Sequence, residues 1–81
     1  MKLIRLGTNQ NAIELQSGRV VVLFSYNTPV AAYVENREGK SWVRTSQKYS
    51  VTTSKHINQW LCGVDADLVE QEYLDGLLQA A

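Results

Sequence analysis

Along Arg19–Tyr26, Val20, Val22, Phe24 and Tyr26 fall on one side of an extended chain, and Val21, Leu23 and Ser25 fall on the other. Side chains alternate with period two in a strand, so both faces of this segment are largely apolar and the spacing predicts a central strand covered on both sides. Ala12–Gln16 precedes it as a second extended segment, and Ser17-Gly18 between them reads as a two-residue hairpin turn in which glycine supplies the positive φ. Upstream, Lys2–Leu6 is a short β-rich run closed by the turn-forming Gly7-Thr8-Asn9-Gln10-Asn11. Downstream, Asn27-Thr28-Pro29 breaks the pattern, because proline lacks the N–H that a central ladder needs, and Val30–Asn36 resumes it with a small pair at Ala31-Ala32. Arg37-Glu38-Gly39-Lys40 then turns the chain into Ser41–Thr45, where Trp42 and Arg44 alternate against Val43.

After Ser46–Ser50 the period changes. Thr52, Thr53 or Ser54 can cap a helix through a hydroxyl, and Ile57, Trp60, Leu61 and Val64 follow at helix-face spacing until Gly63 ends the element. A second helix is expected to start near Asp65 or Asp67, where Asp67 and Glu70 have capping-box-like spacing, and to run towards Ala81. Its stripe is Val69, Tyr73, Leu74, Leu77 and Leu78, weakened by Gly76. The expected fold class is α+β, an antiparallel meander of four to five strands followed by two C-terminal helices. A single domain over residues 1–81 is expected, with the meander at 1–45 and the helical segment at 51–81.

Composition agrees with one small globular unit: 81 residues, 44% hydrophobic and 20% charged. A domain of this length buries only about 60 to 65% of the surface its unfolded chain exposes, which leaves little room for a deep private site and makes a homo-oligomer an expectation. Eight basic and eight acidic residues cancel, which excludes a polybasic binder of the histone kind. Their placement is uneven. Residues 1–63 hold all the bases against Glu14, Glu35 and Glu38, whereas residues 64–81 hold Asp65, Asp67, Glu70, Glu72 and Asp75 and no base. A basic body with an acidic segment suits a phosphate-bearing partner, or pairing of the segment with a body. The lone Cys62 cannot form an internal disulfide, and with one Cys and one His no zinc finger can be built. The longest aliphatic or aromatic run is Val20–Phe24, far short of the roughly 20 residues a membrane span needs. A cytoplasmic protein with no membrane partner is expected.

The stretch Lys48–His56 carries most of the candidate chemistry. The first amides of a helix have no intrahelical partner and sit at the positive end of its dipole, so they can hold an anion. Hydroxyls from Ser50, Thr52, Thr53 and Ser54 add donors, Lys48, Lys55 and Arg44 add charge, and His56 is a further phosphate donor. The segment is not a P-loop, because the Gly-rich backbone is absent. Tyr49 and Trp42, each beside bases, are the candidates for stacking on a nucleobase, while Trp60 reads as core and Tyr26 as a turn lock. Catalysis is not expected: His56 and Cys62 are six apart, about 240° around a helix, and no nucleophile has an evident base. Asp65, Asp67 and Glu70 lack calcium-loop spacing, so neither a metal nor a cofactor is expected.

The strings Phe24-Ser25-Tyr26-Asn27-Thr28-Pro29-Val30-Ala31-Ala32 and Tyr49-Ser50-Val51-Thr52-Thr53-Ser54-Lys55-His56-Ile57-Asn58-Gln59-Trp60-Leu61 resemble a family of short bacteriophage proteins. In that family a Ser-Tyr-x-Thr-Pro-Val-Ala motif precedes a Thr-Thr-x-Lys-His motif, and the resemblance spans residues 12–62. It implies viral origin and residence in the host cytoplasm rather than an activity. The expected function is non-enzymatic: an oligomer that sequesters a phosphate-bearing nucleotide, as anti-defence sponges do, with the contact between subunits made by the leucine stripe. The alternatives are a single-stranded nucleic-acid binder, or a protein-directed host-factor inhibitor or virion component docking through its acidic helix.

Overall fold

The computed structural model describes residues 2–79. Strands β1 (Lys2–Gly7), β2 (Gln10–Leu15), β3 (Val20–Ser25), β4 (Thr28–Asn36) and β5 (Gly39–Thr45) form an antiparallel meander in chain order. Helix α1 (Val51–Leu61) then leads to a short β6 (Asp67–Val69), and helix α2 (Gln71–Gln79) follows. The fold is α+β, as the pattern predicts, with six strands in place of four or five. The added strand β6 lies parallel to β5, with Val43, Arg44 and Thr45 opposite Asp67, Leu68 and Val69, so α1 is the crossover that a parallel pair requires. The N–H of Ser46 extends this pairing by donating to the Val69 carbonyl at 2.8 Å.

The sixth strand corrects the expected start of the second helix. Asp65–Val69 resembles a capped helix start, but the open edge of β5 takes Asp67–Val69 as strand and the helix begins only at Gln71. The expected end at Ala81 lies outside the described residues.

β3 is central and covered on both sides, with Val22 and Leu23 on opposite faces and both fully buried. Beneath α2 lie Leu15, Val20, Val22, Ala32 and Val43 around Leu74, with Leu77 and Leu78 packed against them. Beneath α1 lie Leu23, Val30 and Ala31, meeting Ile57 and Leu61. Leu74, Leu77 and Leu78 of the α2 stripe thus pack on the core of this chain, while Tyr73 of the same stripe stays exposed.

Turns hold the strands in register. The β2–β3 connection is longer than the two residues expected: Leu15 pairs with Val20, and between them Gln16, Ser17 and Gly18 take φ 52, 58 and 88 in a tight turn that the Arg19 N–H closes by donating to the Gln16 carbonyl at 3.2 Å. The next turn is Tyr26-Asn27 and not Asn27–Pro29: Ser25 already pairs with Thr28, and Tyr26 takes φ 59. Pro29 is tolerated inside β4 because β5 pairs only from Ala31 onward. Between the pairs Leu23 with Ala31 and Phe24 with Pro29 the register shifts, making Val30 a β-bulge. α1 ends at Leu61 with Cys62 in the left-handed conformation, φ 51, and Gly63 following at φ 86, close to the stop that glycine predicts.

Candidate functional site

The start of α1 is built differently from the expectation. The Ser50 hydroxyl accepts the N–H of Thr53 at 3.2 Å, so Ser50 is the cap and not Thr52, Thr53 or Ser54. A cap oxygen reaches an amide two or three residues on, and the buried Thr53 is the residue whose N–H most needs that partner. The Thr53 side chain also turns inward. Its Oγ1 lies 3.3 Å from Ser50 Oγ and 3.0 Å from Ser25 Oγ, and Ser25 Oγ lies 2.8 Å from Nδ1 of His56. Ser50, Thr53, Ser25 and Nδ1 of His56 form one continuous hydrogen-bonded chain that joins the first turn of α1 to the end of β3. The first turn has thus used its central hydroxyl and one amide internally. The amides of Val51 and Thr52 remain as donors that the helix itself cannot satisfy.

Beside this turn lies a cleft of about 590 Å³, into which face Arg44, Lys48, Tyr49, Ser50, Thr53 and Ser54. β5 supplies Arg44, the β5–α1 connection supplies Lys48 and Tyr49, and the first turn of α1 supplies the hydroxyls. Val51, Ile57, Ala66 and Leu68 give the cleft apolar walls, and no carboxylate is among its lining residues. Two cations beside a hydroxyl-rich helix start are groups whose chemistry suits an anion. Arg44 is steadied by an Nη1 donation to Asn58 Oδ1 at 3.3 Å, which leaves most of its five N–H donors for a guest. Tyr49 is steadied by its hydroxyl, which donates to Gln71 Oε1 at 2.8 Å. Gln71 also accepts from Thr45 Oγ1 at 2.9 Å and donates to the Pro29 carbonyl at 2.7 Å, so it ties α2, β4 and β5 to the cleft wall.

The remaining sequence candidates lie elsewhere. Thr52 and Lys55 are exposed on α1 outside the lining of this cleft. His56 points to the sheet, where Ser25 takes its Nδ1, and Tyr26 stands 6.2 Å away ring to ring. Trp42 joins an aromatic cluster on the α1 side of the sheet, 4.7 Å from Tyr33 and 5.5 Å from Trp60. Burial there, then the hydrogen bond to Glu35 and the repulsion of a phenolate by that carboxylate, hold the Tyr33 phenol above its ordinary value of 10.0. Cys62 is exposed at the far end of α1 and makes no pair with His56. Among the described residues no helix is long and apolar enough to cross a membrane, and no three His, Cys, Asp or Glu side chains cluster as metal ligands would.

Ser25 and Gln71 are the residues that sequence reasoning misses. A signal for Ser25 exists: it is the polar member of an otherwise apolar strand face, and a buried hydroxyl requires a partner. Gln71 has none, since its partners are distributed over three other elements.

The molecule defined by this geometry is a small α+β protein with one helix on each face of a six-stranded sheet and an open cationic cleft at the start of the first helix. The chain belongs to a family of unknown function, DUF8033, whose model matches residues 1–76. That match takes in β1, β6 and most of α2, beyond the span of the motif resemblance. No curated protein and no solved structure matches the chain.

Proposed function

We propose that this protein is a non-enzymatic binding protein whose cleft takes a phosphate-bearing ligand, with a nucleotide as the favoured class. The observation that carries the reading is the lining of the cleft, where Arg44 and Lys48 face the hydroxyls of Ser50 and Ser54 with no carboxylate among them. Charge-assisted hydrogen bonds from these groups would hold phosphate oxygens without turnover. The resemblance of the Ser25–Ala32 and Thr52–His56 segments to phage proteins supports a role in an infected host cell, where sequestering a nucleotide signal needs no catalysis. Lys55 stands outside the cleft lining, so the decisive base is Lys48. A thermal-shift screen of nucleotides should show stabilisation, about 2.7 kcal/mol at 100 times the dissociation constant, that Lys48→Ala removes. Equal shifts in wild type and Lys48→Ala would discard the site.

The half-buried Tyr33, Trp42 and Trp60, with Arg44 on the same face of β5, support a second reading, a single-stranded nucleic-acid surface. That reading requires affinity that rises with oligonucleotide length and falls steeply with salt, whereas the cleft saturates with one mononucleotide.

A further inference from the structure

A second cleft, of about 270 Å³, opens on the other side of Tyr49. It shares Tyr49, Ser50 and Thr53 with the larger one, so a single guest can reach both. Two aromatic side chains, Tyr26 and Tyr49, line it together with Val30, the hydroxyls of Thr28 and Ser50 lie beside them, and the buried Ser25 and Thr53, already bonded to each other, close its base. Whole-ligand pockets begin near ~300 Å³, so this space suits one ring rather than a complete molecule.

Both tyrosines are exposed yet held. Tyr26 is 47% exposed and Tyr49 42%. Tyr26 belongs to a two-residue turn at φ 59, a conformation that bulky residues rarely adopt, and its ring leans on His56, itself fixed by Ser25. Tyr49 is fixed from behind through its hydroxyl on Gln71. Exposed aromatic rings with their positions already set lose little freedom on binding, which is the property a stacking platform needs. The two tyrosines come from segments that are distant in the chain, the β3–β4 turn and the β5–α1 connection, and the Ser25–Thr53 bond joins those segments at the base of the cleft.

We infer that the smaller cleft is a base subsite, in which a nucleobase stacks on Tyr26 and Tyr49 and presents its edge to the hydroxyls of Thr28 and Ser50, while its phosphate lies in the Arg44 and Lys48 cleft. The inference rests on the phosphate-binding reading of the larger cleft and adds Tyr26 as the residue that selects a base. Calorimetric titration of the full chain with purine and pyrimidine 5′-mononucleotides, the matching nucleosides and ribose 5-phosphate separates the two. Wild type should bind a mononucleotide more tightly than ribose 5-phosphate. Tyr26→Asn suits the positive φ of the turn, and it should weaken the mononucleotide roughly 5- to 150-fold, the range for one stacked base, while leaving ribose 5-phosphate unchanged. Tyr26→Trp should retain the preference. Lys48→Ala should weaken the mononucleotide and ribose 5-phosphate together. Equal binding of mononucleotide and ribose 5-phosphate, or a preference unmoved by Tyr26→Asn, overturns the base subsite and leaves the phosphate site standing. Nucleoside binding as tight as mononucleotide overturns the phosphate site and keeps the base subsite. Silence of every probe at millimolar concentration overturns both.

Discussion

The two faces of the sheet are finished in different materials. On the α2 side, Leu74 is fully buried among Leu15, Val20, Val22, Ala32 and Val43, an interface made of hydrocarbon. On the α1 side, Ile57 and Leu61 give a similar aliphatic anchor, but the opening turn of the helix meets the sheet through Ser25, Thr53 and His56 instead. Apolar contact is the stronger source of stability, whereas a buried hydroxyl contributes modestly when its partners are present and costs free energy when one is missing. The face that gives up hydrocarbon for hydroxyls is the face that carries both clefts. The difference sets an aliphatic half of the molecule under α2 against a hydroxyl-lined, cleft-bearing half at the start of α1.

Substitutions at matched depth put that contrast to the test. Leu74→Ala should have the largest effect, a loss of about 2 to 5 kcal/mol in denaturant unfolding, a large share of the ~5 to 12 kcal/mol available to a chain of this size. A loss under ~1 kcal/mol would mean that the α2 face is not the principal core. Ser25→Ala should cost less, about 1 to 3 kcal/mol, because it strands Thr53 and His56 rather than opening a large cavity. Its thermal unfolding should lie between wild type and Leu74→Ala, and a melt indistinguishable from wild type would show that the hydroxyl chain does not hold the helix. Ser50→Ala, which removes the cap, belongs in the same range at about 1 kcal/mol. Its expected signature is earlier amide exchange confined to the first turn of α1.

The smallest effect is a pH response on the α1 side. The Tyr33 phenol titrates above 10.0 in the folded protein, so its bond to Glu35 is intact below the unfolded value and is lost as pH rises through the higher folded one. Ultraviolet titration should therefore find one late phenol. Glu35→Gln should bring it part of the way back, since burial against Trp42 persists. A phenol that does not move on this substitution would leave Glu35 without influence there.

Much of this architecture is legible in alternation alone. Val20–Phe24 announces a strand buried on both faces, Ser17-Gly18 marks its entry, and the spacing of Ile57 and Leu61 gives the inner face of α1. β6 is not legible: three residues carry no period, and what makes Asp67–Val69 a strand is the open edge of β5, which no local pattern encodes. The site divides the same way. Arg44, Lys48, Tyr49, Ser50 and Ser54 are near neighbours in sequence, and the fold brings them to one cleft. Ser25 and His56 meet across 31 residues, and Tyr26 enters the picture only because the β3–β4 turn is placed beside Tyr49.

The bulge in β4 has a bearing on how this chain tolerates changes in length. The hairpin of β3 and β4 could zip with identical partners if Val30 were simply absent, because Leu23 already faces Ala31 and Phe24 already faces Pro29. The surplus residue is thus not required for zipping. It sets two consecutive side chains, Val30 and Ala31, into the floor on which α1 rests. A variant one residue shorter at this point would close the same hairpin on a flatter sheet, with a thinner cushion below the helix. Deletions elsewhere in β4 would instead invert the strand from that point on, so codon loss is graded along this one element by where it falls.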